Sequence, residues 1–87
     1  MWIHTENPHP IRGQKYDRLL NLETGNRVYI DIKKGQAATD LNLHVWFTAN
    51  QTETLIFTGT EVECIRVLDK FAEKLNATKI QPWEAKQ

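Results

Sequence analysis

The sequence predicts an α+β fold: a four-stranded antiparallel meander followed by one C-terminal helix packed on one face of the sheet. Three observations carry that expectation. Leu41, Leu43, Val45, Phe47 and Ala49 alternate strictly with Asn42, His44, Trp46 and Thr48, the period-two pattern of a strand with one face in a core. Gly25 separates two further runs of strand character, at residues 14–22 and 26–33. Thr60-Glu61-Val62-Glu63 has the form of a helix capping box, and behind it Cys64, Ile65, Val67, Leu68, Phe71, Ala72 and Leu75 fall on one broad arc.

In chain order, residues 1–13 read as an irregular arm. Pro8 and Pro10 lack a ladder donor and push His9 toward extended geometry, while Trp2 and Ile3 leave room for a short edge strand. The first credible strand covers residues 14–22. Tyr16, Arg18, Leu20 and Leu22 share one of its faces; Asp17, Leu19 and Asn21 share the other. Glu23-Thr24-Gly25 then forms a three-residue hairpin loop, with Gly25 free to turn left-handed. That loop sets Leu20 opposite Val28 and Leu19 opposite Tyr29. Val28, Ile30 and Ile32 point inward; Arg27, Tyr29, Asp31 and Lys33 point outward.

A polar connection at residues 34–39 leads into a strand at 40–49, with Tyr29 expected opposite His44 and Arg27 opposite Trp46. After the hydrophilic turn 50–53 comes the short run 54–57, which lacks usable periodicity. Turning Leu55 and Phe57 inward keeps the most apolar surface out of water and leaves Ile56 outside. The helix spans about residues 60–76, with Asn76 as its C-terminal cap. Residues 14–77 therefore make a single domain. Residues 78–87 read as a mobile tail, in which Ile80 and Trp83 are the only docking side chains and Pro82 blocks further helix.

Composition narrows the function classes. The 87 residues allow one modest core. Lys and Arg number 11 and Asp and Glu number 11, for a formal net charge of zero, and the two signs are interleaved along the chain. Neutrality argues against a non-specific phosphate binder, whose affinity rests on released counterions. The single Cys64 excludes an internal disulfide framework and a multi-cysteine zinc site. No apolar run exceeds the length of Val45-Trp46-Phe47, far short of a membrane span or a signal peptide. A soluble, cytoplasmic protein without a membrane partner is the expectation.

One helix cannot cover both faces of a sheet, so the face turned away from it is the functional candidate. On the registers above that face presents Leu19, Tyr29, His44, Trp46 and Ile56, with Arg27, Lys33, Asp17 and Asp31 at its rim. The preferred reading is a protein-interaction or assembly module, with a protein partner or a second copy on Leu19, Arg27, Tyr29, His44, Trp46 and Ile56. A structural alternative has Trp2 or Trp83 fold back over the patch. A second alternative is single-stranded nucleic acid, with bases stacked on Tyr29 and Trp46 and phosphates met by Arg18, Arg27, Lys33 or Lys34.

No enzyme, cofactor or metal is expected. His4, His9 and Glu6 match no regular ligand spacing. His44 has no nucleophile or orienting carboxylate at catalytic spacing and reads as an interface or packing residue. Cys64 lies on the apolar arc and reads as core despite its place near the helix N-terminus. Gly59-Thr60 lacks the remainder of a phosphate-binding loop, and Thr60 already has a capping role.

Overall fold

The computed structural model describes residues 1–5, 16–25 and 27–80. Expectations placed on His9, Glu6, Pro82 and Trp83 lie outside the described residues. Among these residues six strands and one α-helix follow in the order β1 (Trp2–Thr5), β2 (Arg18–Asn21), β3 (Val28–Lys34), β4 (Leu43–Ala49), β5 (Thr52–Gly59), α1 (Glu61–Lys74) and β6 (Thr78–Ile80). They form one mixed sheet in the spatial order β5-β4-β3-β2-β1-β6.

The four-stranded antiparallel meander is thus corrected to six strands. Strands β1 to β5 are antiparallel neighbours, but β6 runs parallel to β1 at the far edge. The reason for the difference is length. β1 has four residues and β6 three, too few to show a period, and both pair across large sequence separations. Chain direction alternates from β1 to β5, so β5 and β6 point the same way. Helix α1 is the crossover between them and traverses the back of the sheet from one edge to the other.

Local chemistry makes each joint. Between β2 and β3 the Asn21 side chain caps a single 3₁₀ turn by accepting from the Glu23 amide, and Gly25 closes it at φ 61°. Asn50 and Gln51, both at positive φ, make the two-residue turn joining β4 to β5. The expected capping box is present: Thr60 Oγ1 accepts from the Glu63 amide, and the Glu63 carboxylate accepts from the Thr60 amide. At the other end Asn76 turns left-handed at φ 53°. The Ala77 amide donates to the Ala72 carbonyl and the Asn76 amide to that of Glu73, a Schellman closure.

The buried core is Leu19, Ile30, Ile32, Leu43 and Val45 from the sheet with Cys64, Leu68 and Ala72 from the helix. Leu19, Val45, Cys64 and Leu68 have no exposed surface. The Cys64 thiol donates to the Leu43 carbonyl at 3.4 Å, and burial pushes its pKa up, so it is an inert core group.

Three registers differ from expectation. β2 is slipped by one residue: Leu19 pairs with Ile30 and Leu20 with Tyr29, so Leu19 belongs to the core and not to the outer face. The β3–β4 hairpin is longer than expected and pairs Tyr29 with Thr48 and Lys33 with His44. That shift of four residues preserves the faces but leaves Leu41 in solvent, ahead of the strand. In β5 a bulge at Ile56 interrupts the pairing, since Val45 pairs with Phe57 and Trp46 with Leu55. Leu55 therefore lies on the outer face while Phe57 packs on the core, an arrangement that simple alternation forbids.

Two substitutions test this packing. Thr60→Ala should cost about 1 kcal/mol through the lost cap. Leu68→Ala should cost about 2–5 kcal/mol through the cavity it opens. Urea unfolding followed by circular dichroism measures both, and equal effects would contradict the core assignment.

Candidate functional site: the outer sheet face and the β5 edge

Because side chains alternate between the faces except at the β5 bulge, the surface opposite the helix is built of cross-strand rows. Arg18, Asp31, Trp46 and Leu55 make one row; Leu20, Tyr29, Thr48 and Glu53 make the next; Lys33, His44 and Thr58 make a third. Tyr29, Trp46 and His44 share this face as expected, while Leu19 is on the other side. Arg27 is exposed just before the start of β3, Lys34 is exposed at its end, and Ile56 sits in the bulge of β5.

The middle of the face is polar and buried. Asp31 is 7% exposed and Thr48 4%, and Arg18 Nε, Asp31 Oδ1 and Thr48 Oγ1 are enclosed without a hydrogen-bond partner among the described residues. Arg18 instead lays its guanidinium over the Tyr29 ring, 5.0 Å from the centroid. Burial raises the pKa of Asp31, opposed by the charges of Lys33 and Arg18. Lys33 is engaged by Glu53 across β4, a bond that holds the lysine in its charged form. With Arg18 on Tyr29, Lys33 on Glu53 and Asp31 between them, the cations named for nucleic acid make no continuous basic track. Tyr29 and Trp46 are half-buried, and Tyr29 contributes one wall of a shallow cleft with Arg27, Thr48, Asn50 and Gln51.

His44 has partners that sequence spacing did not show. Its Nε2 lies 2.8 Å from Asp40 Oδ2 and its Nδ1 2.9 Å from Thr58 Oγ1. A carboxylate can only accept, so Nε2 carries the proton and Nδ1 accepts from the threonine hydroxyl. The bond from His44 holds the Asp40 pKa below the ordinary carboxylate value. The Asp40–His44–Thr58 order imitates a carboxylate, base and nucleophile, but it links a loop to a strand on an open surface. Its evident work is to pin the β3–β4 loop to β5.

The edge of the sheet is the more exposed feature. β5 has eight residues, and among the described residues no strand pairs with its outer side. Leu55 is 47% exposed and Ile56 36%. Its sequence, Thr52-Glu53-Thr54-Leu55-Ile56-Phe57-Thr58-Gly59, contains no Lys and no Pro, and Glu53 is its one charge. Among the described residues the bulge at Ile56 and the single charge of Glu53 are the edge guards of this strand.

On the opposite side of the sheet, His4, Asp17 and Asp69 converge from β1, the segment before β2, and α1. His4 was visible as a residue; its companions are 13 and 65 positions away, beyond the reach of any spacing rule.

Comparison with protein-family models, with curated proteins and with solved structures finds no match in any of the three. Among the described residues no helix is long and apolar enough to cross a membrane.

The buried Asp31 yields a pH test. Its folded pKa is raised above the unfolded value near 3.8, so the protonated form is the one that favours folding. Its stability contribution is present below the unfolded pKa and is lost as pH rises through the folded one. Asp31→Asn should therefore stabilise the fold at pH 7 by about 1 kcal/mol, the scale of one unsatisfied buried group. The gain should shrink at pH 3; a constant gain in urea titrations at both pH values would disprove the assignment.

Proposed function

We propose that this chain is an assembly module that joins a second copy of itself along β5, with Trp46 and the outer sheet face flanking the joint. The carrying observation is the eight-residue edge strand with exposed Leu55 and Ile56. An edge strand presents a row of unpaired N–H and C=O groups, and another strand satisfies them with main-chain hydrogen bonds. A second copy fits because the strand is nearly uncharged. Antiparallel pairing about a two-fold axis near Leu55 and Ile56 places Glu53 against uncharged residues, and its carboxylate is already neutralised by Lys33. Zero net charge removes long-range repulsion between copies.

The outer face then gains a purpose. Trp46 pairs with Leu55, so the joint sets Trp46 and Leu55 beside the partner's Leu55 and the partner's Trp46 in one apolar stripe. Tyr29 lies one row away, steadied by Arg18. This narrows the aromatic-face expectation to the part of the face next to β5.

Sedimentation velocity over a range of concentrations tests the proposal. The expected result is a monomer–dimer equilibrium that shifts to monomer when Leu55 and Ile56 are both changed to Lys, with unchanged circular dichroism. Trp46→Glu should weaken the dimer by roughly ten-fold or more, on the scale of one interface anchor. A wild-type monomer at every concentration refutes self-assembly. Salt-sensitive co-sedimentation of a monomer with a single-stranded oligonucleotide would move the function to nucleic acid.

A further inference from the structure

We infer that His4, Asp17 and Asp69 form a binding site for a divalent transition-metal cation, zinc foremost, that clamps β1 and the segment leading into β2 to the helix. The site is separate from the β5 edge and lies on the opposite face of the sheet.

The argument starts from register. His4 pairs with Leu19, a fully buried core residue, so the imidazole points at the helix and not at solvent. A side chain placed there would ordinarily be apolar, yet this one is a histidine and is 4% exposed. Asp17 precedes Leu19 by two residues, which puts it on the same face of the same strand line. Asp69 follows Leu68, the helix residue buried at the centre of the core, and reaches the cluster from above.

The distances then identify the chemistry. Nε2 of His4 lies 3.1 Å from Asp17 Oδ2 and 3.7 Å from Asp69 Oδ1, and one ligand atom from each residue falls within 4.8 Å of the others. Both carboxylates thus approach a single ring nitrogen. One N–H can satisfy the nearer oxygen, but 3.7 Å is too long for a hydrogen bond to the second. Two carboxylates therefore converge on one side of an almost fully buried ring, Asp17 from the more buried side and half-exposed Asp69 from the solvent side.

A metal ion resolves this arrangement. Zinc binds imidazole nitrogen and carboxylate oxygen at about 2.0–2.2 Å, so tetrahedral ligands stand roughly 3.3–3.5 Å apart. The two separations from His4 Nε2 bracket that value. Asp69 is half-exposed and can rotate to close the longer gap, and its exposure leaves an entry path and a fourth position for water. One nitrogen and two oxygens from three elements also form a donor set in which imidazole favours zinc over magnesium or calcium. Binding at this point would tie the N-terminal strand, which alone carries β6 on its outer side, to the helix that precedes β6.

The test uses the full chain after chelator treatment. Zinc should raise the thermal midpoint in a concentration-dependent way, and cobalt should give the visible absorption of a tetrahedral site. Asp69→Asn changes a half-exposed helix residue, so the fold should persist while the zinc-dependent shift and the cobalt spectrum fall at least ten-fold in apparent affinity. His4→Gln should abolish both. No zinc-dependent shift and no cobalt spectrum overturn the proposal. So does a shift that survives Asp69→Asn, which would place the ion elsewhere, and so does a response to magnesium with indifference to zinc.

Discussion

One helix has to reach across the whole sheet, and most of the structure follows from that requirement. The chain leaves β5 at one edge and re-enters beside β1 at the other, with α1 as the only connection. Six strands spaced about 4.8 Å apart make a sheet roughly 24 Å wide. Fourteen helical residues at about 1.5 Å each cover roughly 21 Å, which the cap and the Ala77 closure extend. The helix must therefore present apolar side chains along its full length and to different strands in turn. Its first turn meets β4 through the Cys64 thiol on the Leu43 carbonyl, its centre seats Leu68 in the core, and Asp69 reaches His4 of β1. A wide apolar arc with charged residues at its margin is the pattern that such a traverse needs.

Among the described residues no second helix layers the other face of the sheet. The sequence responds with mixed chemistry. Polar Asp31, Thr48 and Arg18 occupy the middle rows, where an apolar patch would invite aggregation, while the larger apolar groups Trp46 and Leu55 are moved toward β5. The bulge at Ile56 makes that placement possible. By inserting one residue it lets Phe57 serve the core and Leu55 the outer face from the same strand.

The parts of this arrangement legible in the sequence were those governed by local rules. The capping box at Thr60 and Glu63, the left-handed Gly25 and Asn76, the inward Val28, Ile30 and Ile32, and the apolar arc of α1 all depend on neighbours within a few residues. What escaped depends on distance or on one-residue offsets. β1 and β6 have too few residues to carry a period, and their partners are remote in the chain. The 3₁₀ turn after Asn21 consumes Leu22, shifts the hairpin by one place and exchanges the faces of Leu19 and Leu20. A bulge has no sequence mark beyond the failed alternation of Leu55-Ile56-Phe57. At the candidate site, the shared face of Tyr29, Trp46 and His44 could be read from alternation, whereas the open edge of β5 required knowledge of the strand order. Asp40, Thr58, Asp17 and Asp69 became visible only when the chain was folded.

The two histidines of the sheet show why similar contacts differ in meaning. Each joins separate elements, and each touches a carboxylate. At His44 the two ring nitrogens face different partners, Asp40 on one side and the Thr58 hydroxyl on the other. A neutral imidazole satisfies both with one proton given and one accepted, so the contact is complete in itself. At His4 two carboxylates converge on the same nitrogen, and a single proton cannot serve both at hydrogen-bond distance. Protonating the ring supplies charge but no second donor at that atom. A cation placed among the three lone pairs supplies positive charge along three directions at once. The difference between a clamp and a metal site thus lies in the direction from which the carboxylates approach the ring.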